Sequence, residues 1–94
     1  MIGFAWDEAK NRANRRKHGI WFEEAVSVFN DPEARVFEDI EHSDEEDRFI
    51  IIGVNAFARL LVVVHCYREA DSIIRLISAR KATRKEQRRY EERV

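Results

Sequence analysis

The apolar positions of the chain change their period part-way along. Over residues 22–29 they fall at Phe22, Ala25, Val26 and Phe29, one stripe at i, i+3, i+4 and i+7, which predicts a helix. From residue 48 they come in near-continuous runs instead: Ile50-Ile51-Ile52, Leu60 to Val64, and Ile73 to Ile77 with Arg75 inside it. Such runs predict strands covered on both faces, since a sheet with one wet face alternates. The strands are expected over 34–38, 48–54, 60–67 and from 72 onward. Joints at Asn55 to Ala58 and Arg68 to Ser72 are short enough for an antiparallel meander. Met1 to Trp6 alternates weakly, as a short edge strand would.

Capping residues set the helix ends. Asp7 is a suitable N-cap for a helix over 8–17, and Gly19 a suitable left-handed residue after it. That helix has a thin apolar face, Ala9 and Ala13, and belongs on the surface. Asn30-Asp31-Pro32 ends the helix over 22–29. Thr83-Arg84-Lys85-Glu86 spells a capping box for a last helix over 84–93. The order is two helices, four antiparallel strands and a C-terminal helix. That is an α+β chain, and 94 residues make one domain, 1–94.

Both faces of the strands then need cover. The second helix serves one face, the last helix part of the other, and a partner chain the remainder.

Charge adds a polarity to this frame. The net charge is only −1, with 37% charged residues. Yet Lys10, Arg12, Arg15, Arg16 and Lys17 stand together without an acid, and Arg80, Lys81, Arg84, Lys85, Arg88 and Arg89 accompany Glu86 alone. Between them lies an acidic stretch, Asp31 to Asp47, expected as a loop over 39–47. A surface polarised in this way attracts a polyanion. The single cysteine, Cys66, allows no internal disulfide and suits core packing. The N-terminus lacks the apolar segment of a signal peptide, and no apolar run reaches the length of a membrane span. Both point to the cytoplasm and away from a membrane.

Little of the usual catalytic vocabulary is present. His18, His42 and His65 are widely spaced, and no Cys, His, Asp or Glu set has metal-ligand spacing, so no metal and no cofactor are expected. The glycines are isolated and form no phosphate loop. What remains is cations and proton carriers. Lys17-His18 end the first helix, where the dipole stabilises cations; the same pair would suit a proton carrier beside a phosphate. Glu46 and Arg48 are two apart, on one strand face if the strand reaches them. Pairing Val54 with Arg59 would set Arg48 opposite His65, itself a core or sheet-face histidine. Arg75 lies in an apolar strand, so it pairs with an acid such as Glu46 or opens into a groove. Arg80 stands where strand becomes helix, and its fork can hold phosphate oxygens. Tyr67 and Arg68 end the neighbouring strand. Trp6, Trp21, Phe22 and Phe29 are most simply core, with an exposed Trp21 as the alternative. The residues alone thus describe an arginine-lined groove fit for phosphodiester binding or metal-free cleavage.

The chain resembles the BrnT toxin family, the toxin half of type II toxin–antitoxin pairs. The resemblance is carried by Phe4, Trp6-Asp7, Lys10, Asn14, Lys17-His18-Gly19, Phe22-Glu23-Glu24-Ala25, Val28-Phe29, Asp31, Asp39, His42-Ser43, Glu46, Arg48, Gly53, Arg75, Ser78-Ala79-Arg80, Ala82, Glu86 and Tyr90. Trp21 departs from it, standing where many relatives carry serine or threonine. The turn before Ser72 lacks a glycine seen in some relatives. The resemblance implies a RelE-like fold, a metal-independent ribonuclease that arrests translation, and RNA as substrate. It also implies a cognate BrnA-type antitoxin, a ribbon-helix-helix protein through which alone the toxin meets DNA. On that reading Arg75 and Arg80 carry phosphate and transition-state charge. His18 or Glu46 moves the proton, and Lys17, Arg48, Arg68, Lys81 and Arg84 are supporting cations on the RNA. The alternative is a non-catalytic binding module that acts only with its partner on DNA.

Overall fold

The computed structural model describes residues 2–42 and 46–92. Three α-helices pack on a five-stranded sheet of order β1-β5-β4-β3-β2. The strands are β1 Gly3–Ala5, β2 Arg35–Glu38, β3 Phe49–Val54, β4 Leu60–Arg68 and β5 Ile73–Lys81. Strands β2 to β5 form the expected antiparallel meander. The sheet is nevertheless mixed, not four-stranded and antiparallel. β1 runs parallel to β5, pairing Gly3 with Ile73 and Ala5 with Arg75. A parallel neighbour needs a long crossover, and here residues 6–72 lie between the two strands.

Helix α1 is Glu8–His18. Asp7 caps it by accepting from the Ala9 and Lys10 backbone N–H groups, and Gly19 ends it at φ 75°. Its inner face is built from asparagines rather than Ala9 and Ala13. Asn11 and Asn14 are its buried residues. Asn14 donates to Ile20 O and Ala79 O and accepts from Ala79 N–H. β1 pairs with β5 only as far as Arg75. Beyond it, at Ala79, the Asn14 amide supplies the donor and acceptor that a further strand residue would have given. Asn11 accepts from Phe22 N–H at 2.7 Å. It thereby supplies the cap that Trp21, which makes no side-chain cap bond, does not give the second helix.

That second helix is α2, Phe22–Ala25, followed by a 3₁₀ turn over Val26–Asn30. The tightening changes the stripe. The fully buried residues are Phe22, Ala25 and Val28, spaced by three, as the 3₁₀ period dictates, while Val26 and Phe29 pack at the margin. Gly53 makes this approach possible, since a Cβ there would meet Val28 Cγ1 at 2.9 Å. With Ile20, Ile51, Leu61, Val63, Ile74, Leu76 and Ala79 these residues form the core. Each large side chain so buried is worth about 1.5–3 kcal/mol.

The hairpin joint holds at Asn55, whose side chain accepts from Phe57 and Arg59 N–H, but its register differs from the expected one by a residue. Val54 pairs with Leu60, so Phe49 and not Arg48 lies opposite His65. β3 begins at Phe49, which leaves Glu46 and Arg48 before the strand rather than on one face of it. The expected acidic loop contains a 3₁₀ turn, Ile40–His42. The acids Asp44 and Glu45, and Ser43 of the family pattern, lie outside the described residues. Helix α3 is Arg84–Glu91, capped by Thr83 and Glu86 as the capping box requires; residue 93 of its expected span lies outside the described residues.

Candidate functional site

Strand β4 is regular, so Val62, Val64 and Cys66 point to one side of the sheet, away from the core. Arg80 is paired with Val62, Ser78 with Val64, and Arg75 with Cys66. Directly paired residues share a face. Arg75 and Arg80 therefore stand on the same face, although an odd spacing would put them on opposite ones. The cause is a bulge. Between Val64 and His65 on β4 the partner changes from Ser78 to Leu76, which leaves Ile77 as the extra residue. One residue absorbed there restores the parity.

Two rows of this face explain what covers it. The first runs Arg35–Ile52–Val62–Arg80 across four strands. Ile52 and Val62 are buried, and α3 lies along the row. Its first turn is tied to Arg80 by Glu86, with Nη1 to Oε1 at 2.7 Å and Nη2 to Oε2 at 2.8 Å. Its C-terminal carbonyls, Arg89 O and Glu92 O, accept from Arg35, a cation where the helix dipole favours one. The Arg89 guanidinium lies 3.9 Å over the Phe37 ring. The second row runs Phe37–Ile50–Val64–Ser78, with Ile50, Val64 and Ser78 half-buried. It forms a floor, with Arg80 on one side and Arg75 on the other. The Cα rows of the two arginines are roughly 13 Å apart, four strand residues.

Lys17 and His18 join this face at the β5 edge. With Lys10, Ala13, Asn14, Ile77 and Ser78 they line an open depression of about 210 Å³. His18 has its pKa lowered, first by burial, then by the neighbouring Lys17 and Arg80 charges. The shift favours the neutral imidazole, the form able to accept a proton.

The remaining expected residues divide. Arg75 is half-buried and, among the described residues, has no ion pair or side-chain hydrogen bond. The acid expected for it, Glu46, pairs instead with Arg68 at 3.0 Å and accepts from the Cys66 thiol at 3.5 Å. Cys66 is opposite Arg75, so Glu46 stands near the same end of the face. Arg80 is not open, because Glu86 fills its fork. Arg48 lies just before β3, and its carbonyl accepts from Asp39 N–H. Lys81 and Arg84 are exposed beyond the floor. His65 is a core residue with Nδ1 3.2 Å from Val63 O, enclosed by Phe29, Phe49 and Tyr67. A second hollow, about 450 Å³, is lined by Glu46, Asp47, Phe49, Tyr67 and Asp71. Its three carboxylates make it the wrong wall for a phosphate. Sequence reasoning passed over Ser78 as a floor residue, Asn14 as the β5 edge partner and Glu86 as the partner of Arg80. The family pattern includes all three, and the capping box had marked Glu86 as a cap residue only.

The family model described as "Ribonuclease toxin, BrnT, of type II toxin-antitoxin system" matches residues 6–86. Among solved structures, the crystal structure of the Brucella abortus ribonuclease toxin, BrnT, is similar at a TM-score of 0.67 and 24% identity. The match covers 89% of this chain and 100% of that one, and it establishes likeness of fold. No curated protein matches the chain.

Proposed function

Because the chain belongs to the BrnT family of ribonuclease toxins of type II toxin–antitoxin systems, we propose that it cuts RNA on the arginine face of its sheet. The cleavage needs no metal ion and arrests translation in the cytoplasm. A cognate antitoxin of the ribbon-helix-helix, BrnA type then covers this face and links the toxin to DNA.

The observation that carries this reading is the shared face of Arg75 and Arg80, with His18 beside Ser78 between them. RNA contains its own nucleophile, the ribose 2′-OH. In the proposed step His18 takes the 2′-OH proton, the 2′-oxygen bonds to phosphorus, and the bond to the 5′-oxygen breaks. The leaving oxygen takes a proton from water, and a 2′,3′-cyclic phosphate remains. Arg75, whose guanidinium has no ion pair or hydrogen bond among the described residues, faces the charge that builds on the phosphate oxygens. Glu46 is the weaker choice for the base, being held by Arg68. Lys17, Arg48, Arg68, Lys81 and Arg84 extend the track for the backbone.

The test is cleavage of an RNA oligonucleotide in EDTA by the purified chain, by Arg75→Ala and by His18→Gln. Cleavage to cyclic-phosphate ends is expected, with each variant down by about 10²-fold or more. Undiminished cleavage by both variants would overturn the assignment. A second reading, a non-catalytic module acting only with its partner on DNA, is favoured by one observation, the closed fork of Arg80. Expressed alone, a module neither cuts RNA nor slows growth.

A further inference from the structure

The Arg80–Glu86 pair uses both terminal nitrogens of the guanidinium against both oxygens of the carboxylate. Nη1 also reaches Lys81 O at 3.3 Å. A guanidinium takes a phosphate through the same parallel pair of N–H groups. A carboxylate that merely oriented Arg80 would leave that edge of the fork free. We propose that Glu86 is a place-holder on Arg80, which a backbone phosphate of the RNA displaces when substrate binds. This rests on the ribonuclease reading of the same face.

Three features fit an exchange rather than a fixed bridge. First, Glu86 has somewhere to go. Its Oε1 also accepts from Thr83 N–H at 2.8 Å, so the capping box survives when Arg80 is released. Second, no residue of the helix that carries Glu86 is buried, and polar ties hold it at points away from Glu86: Arg35 to its last carbonyls, Tyr90 to Asp31 at 2.7 Å, and Arg89 over Phe37. Third, Glu86 balances the Arg80 charge in the free protein, and a phosphate replaces it with a like charge. The arrangement keeps Arg80 neutralised until a polyanion arrives.

The test uses the full chain and a single-stranded RNA in which 2′-O-methyl groups block cleavage. Glu86→Gln keeps a partner for the capping box and removes the charge. Binding is expected to tighten roughly tenfold, with the slope of log affinity against log salt steeper by about one phosphate. Glu86→Ala, which also gives up the cap contact, moves affinity the same way. In an Arg80→Gln background Glu86→Gln changes nothing. Equal or weaker binding by Glu86→Gln, while the wild-type chain still cuts unmodified RNA, overturns the place-holder alone. Failure of the wild-type chain to bind or cut any RNA overturns the ribonuclease reading with it.

Discussion

Arg75 and Arg80 point to one face of β5 because Ile77 is bulged out of the register between them. They differ in company. Arg80 shares a two-point pair with Glu86, and Arg75 has no ion pair among the described residues. Arg75→Ala should therefore leave stability within about 0.5 kcal/mol of the parent. Arg80→Ala should cost up to about 1 kcal/mol, since the pair it breaks is partly exposed. Urea midpoints at constant m-value check both.

Asn14 is the joint between α1 and the β5 edge. Asn14→Ala would strand Ile20 O and both backbone groups of Ala79 in a buried site. A loss of about 3 kcal/mol is expected. Asn14→Asp should be worse, because a carboxylate cannot donate to the two carbonyls that Asn14 serves. A midpoint shift below 0.5 kcal/mol equivalent, on the scale of ordinary surface changes, would remove Asn14 from this role.

His65 is fully buried, and burial lowers its pKa below 6.5, partly offset by its contact with Val63 O. The sign follows from proton uptake. Above 6.5 the histidine is neutral in folded and unfolded chains alike and adds no pH dependence. As pH falls through 6.5 the unfolded chain binds the proton and the folded one does not, so stability drops. His65→Phe should remove that part of the acid slope in denaturation measured from pH 7.5 to 5.

Glu86 has its pKa lowered to about 2, chiefly by its bond from Arg80. Its contribution is present above the ordinary carboxylate value near 4.5 and is lost as pH falls toward 2. Glu86→Gln should flatten the stability curve below pH 4.5 and leave it unchanged in shape above pH 5.

His18 gives a kinetic counterpart. Its lowered pKa predicts that the acid limb of kcat/KM lies below pH 6.5. Lys17→Gln removes one cause of the lowering, so the limb should move up in pH. A limb that stays in place would take His18 out of the proton transfer.

The turn into β5 carries Glu69, Ala70 and Asp71 at φ 54°, 52° and 70°, three successive non-glycine residues in the left-handed region. That conformation costs about 1–2 kcal/mol at a residue with a Cβ, and glycine escapes it. Ala70→Gly should therefore raise the urea midpoint, by up to about 1 kcal/mol, with no change in m-value.

Much of the fold was legible because it rests on local rules. Asp7, Gly19, Thr83 and Glu86 announce helix ends through groups within a turn of themselves, and all four act as expected. The apolar runs announce doubly covered strands in the same way. The second helix misled because an apolar stripe of period 3.6 and one of period 3 share Phe22 and Ala25. Only packing against Gly53 decides that Val28 completes it. The parallel β1 was hidden because its partner lies some seventy residues away, and nothing local in Gly3–Ala5 states a direction.

The sequence by itself singled out Arg75 and Arg80, since an arginine within an apolar strand and a cation at a strand-to-helix junction are visible without coordinates. It also determined the capping contact that keeps Glu86 at the start of α3. The tertiary structure alone decided that Arg75 and Arg80 share a side, because side-chain parity in a strand depends on a one-residue bulge that pairing with β4 creates. It also decided that Asn11 and Asn14, polar residues on a helix expected to lie open, are buried joints. Buried amides are favourable only where distant backbone groups meet them, and no local pattern can supply those partners.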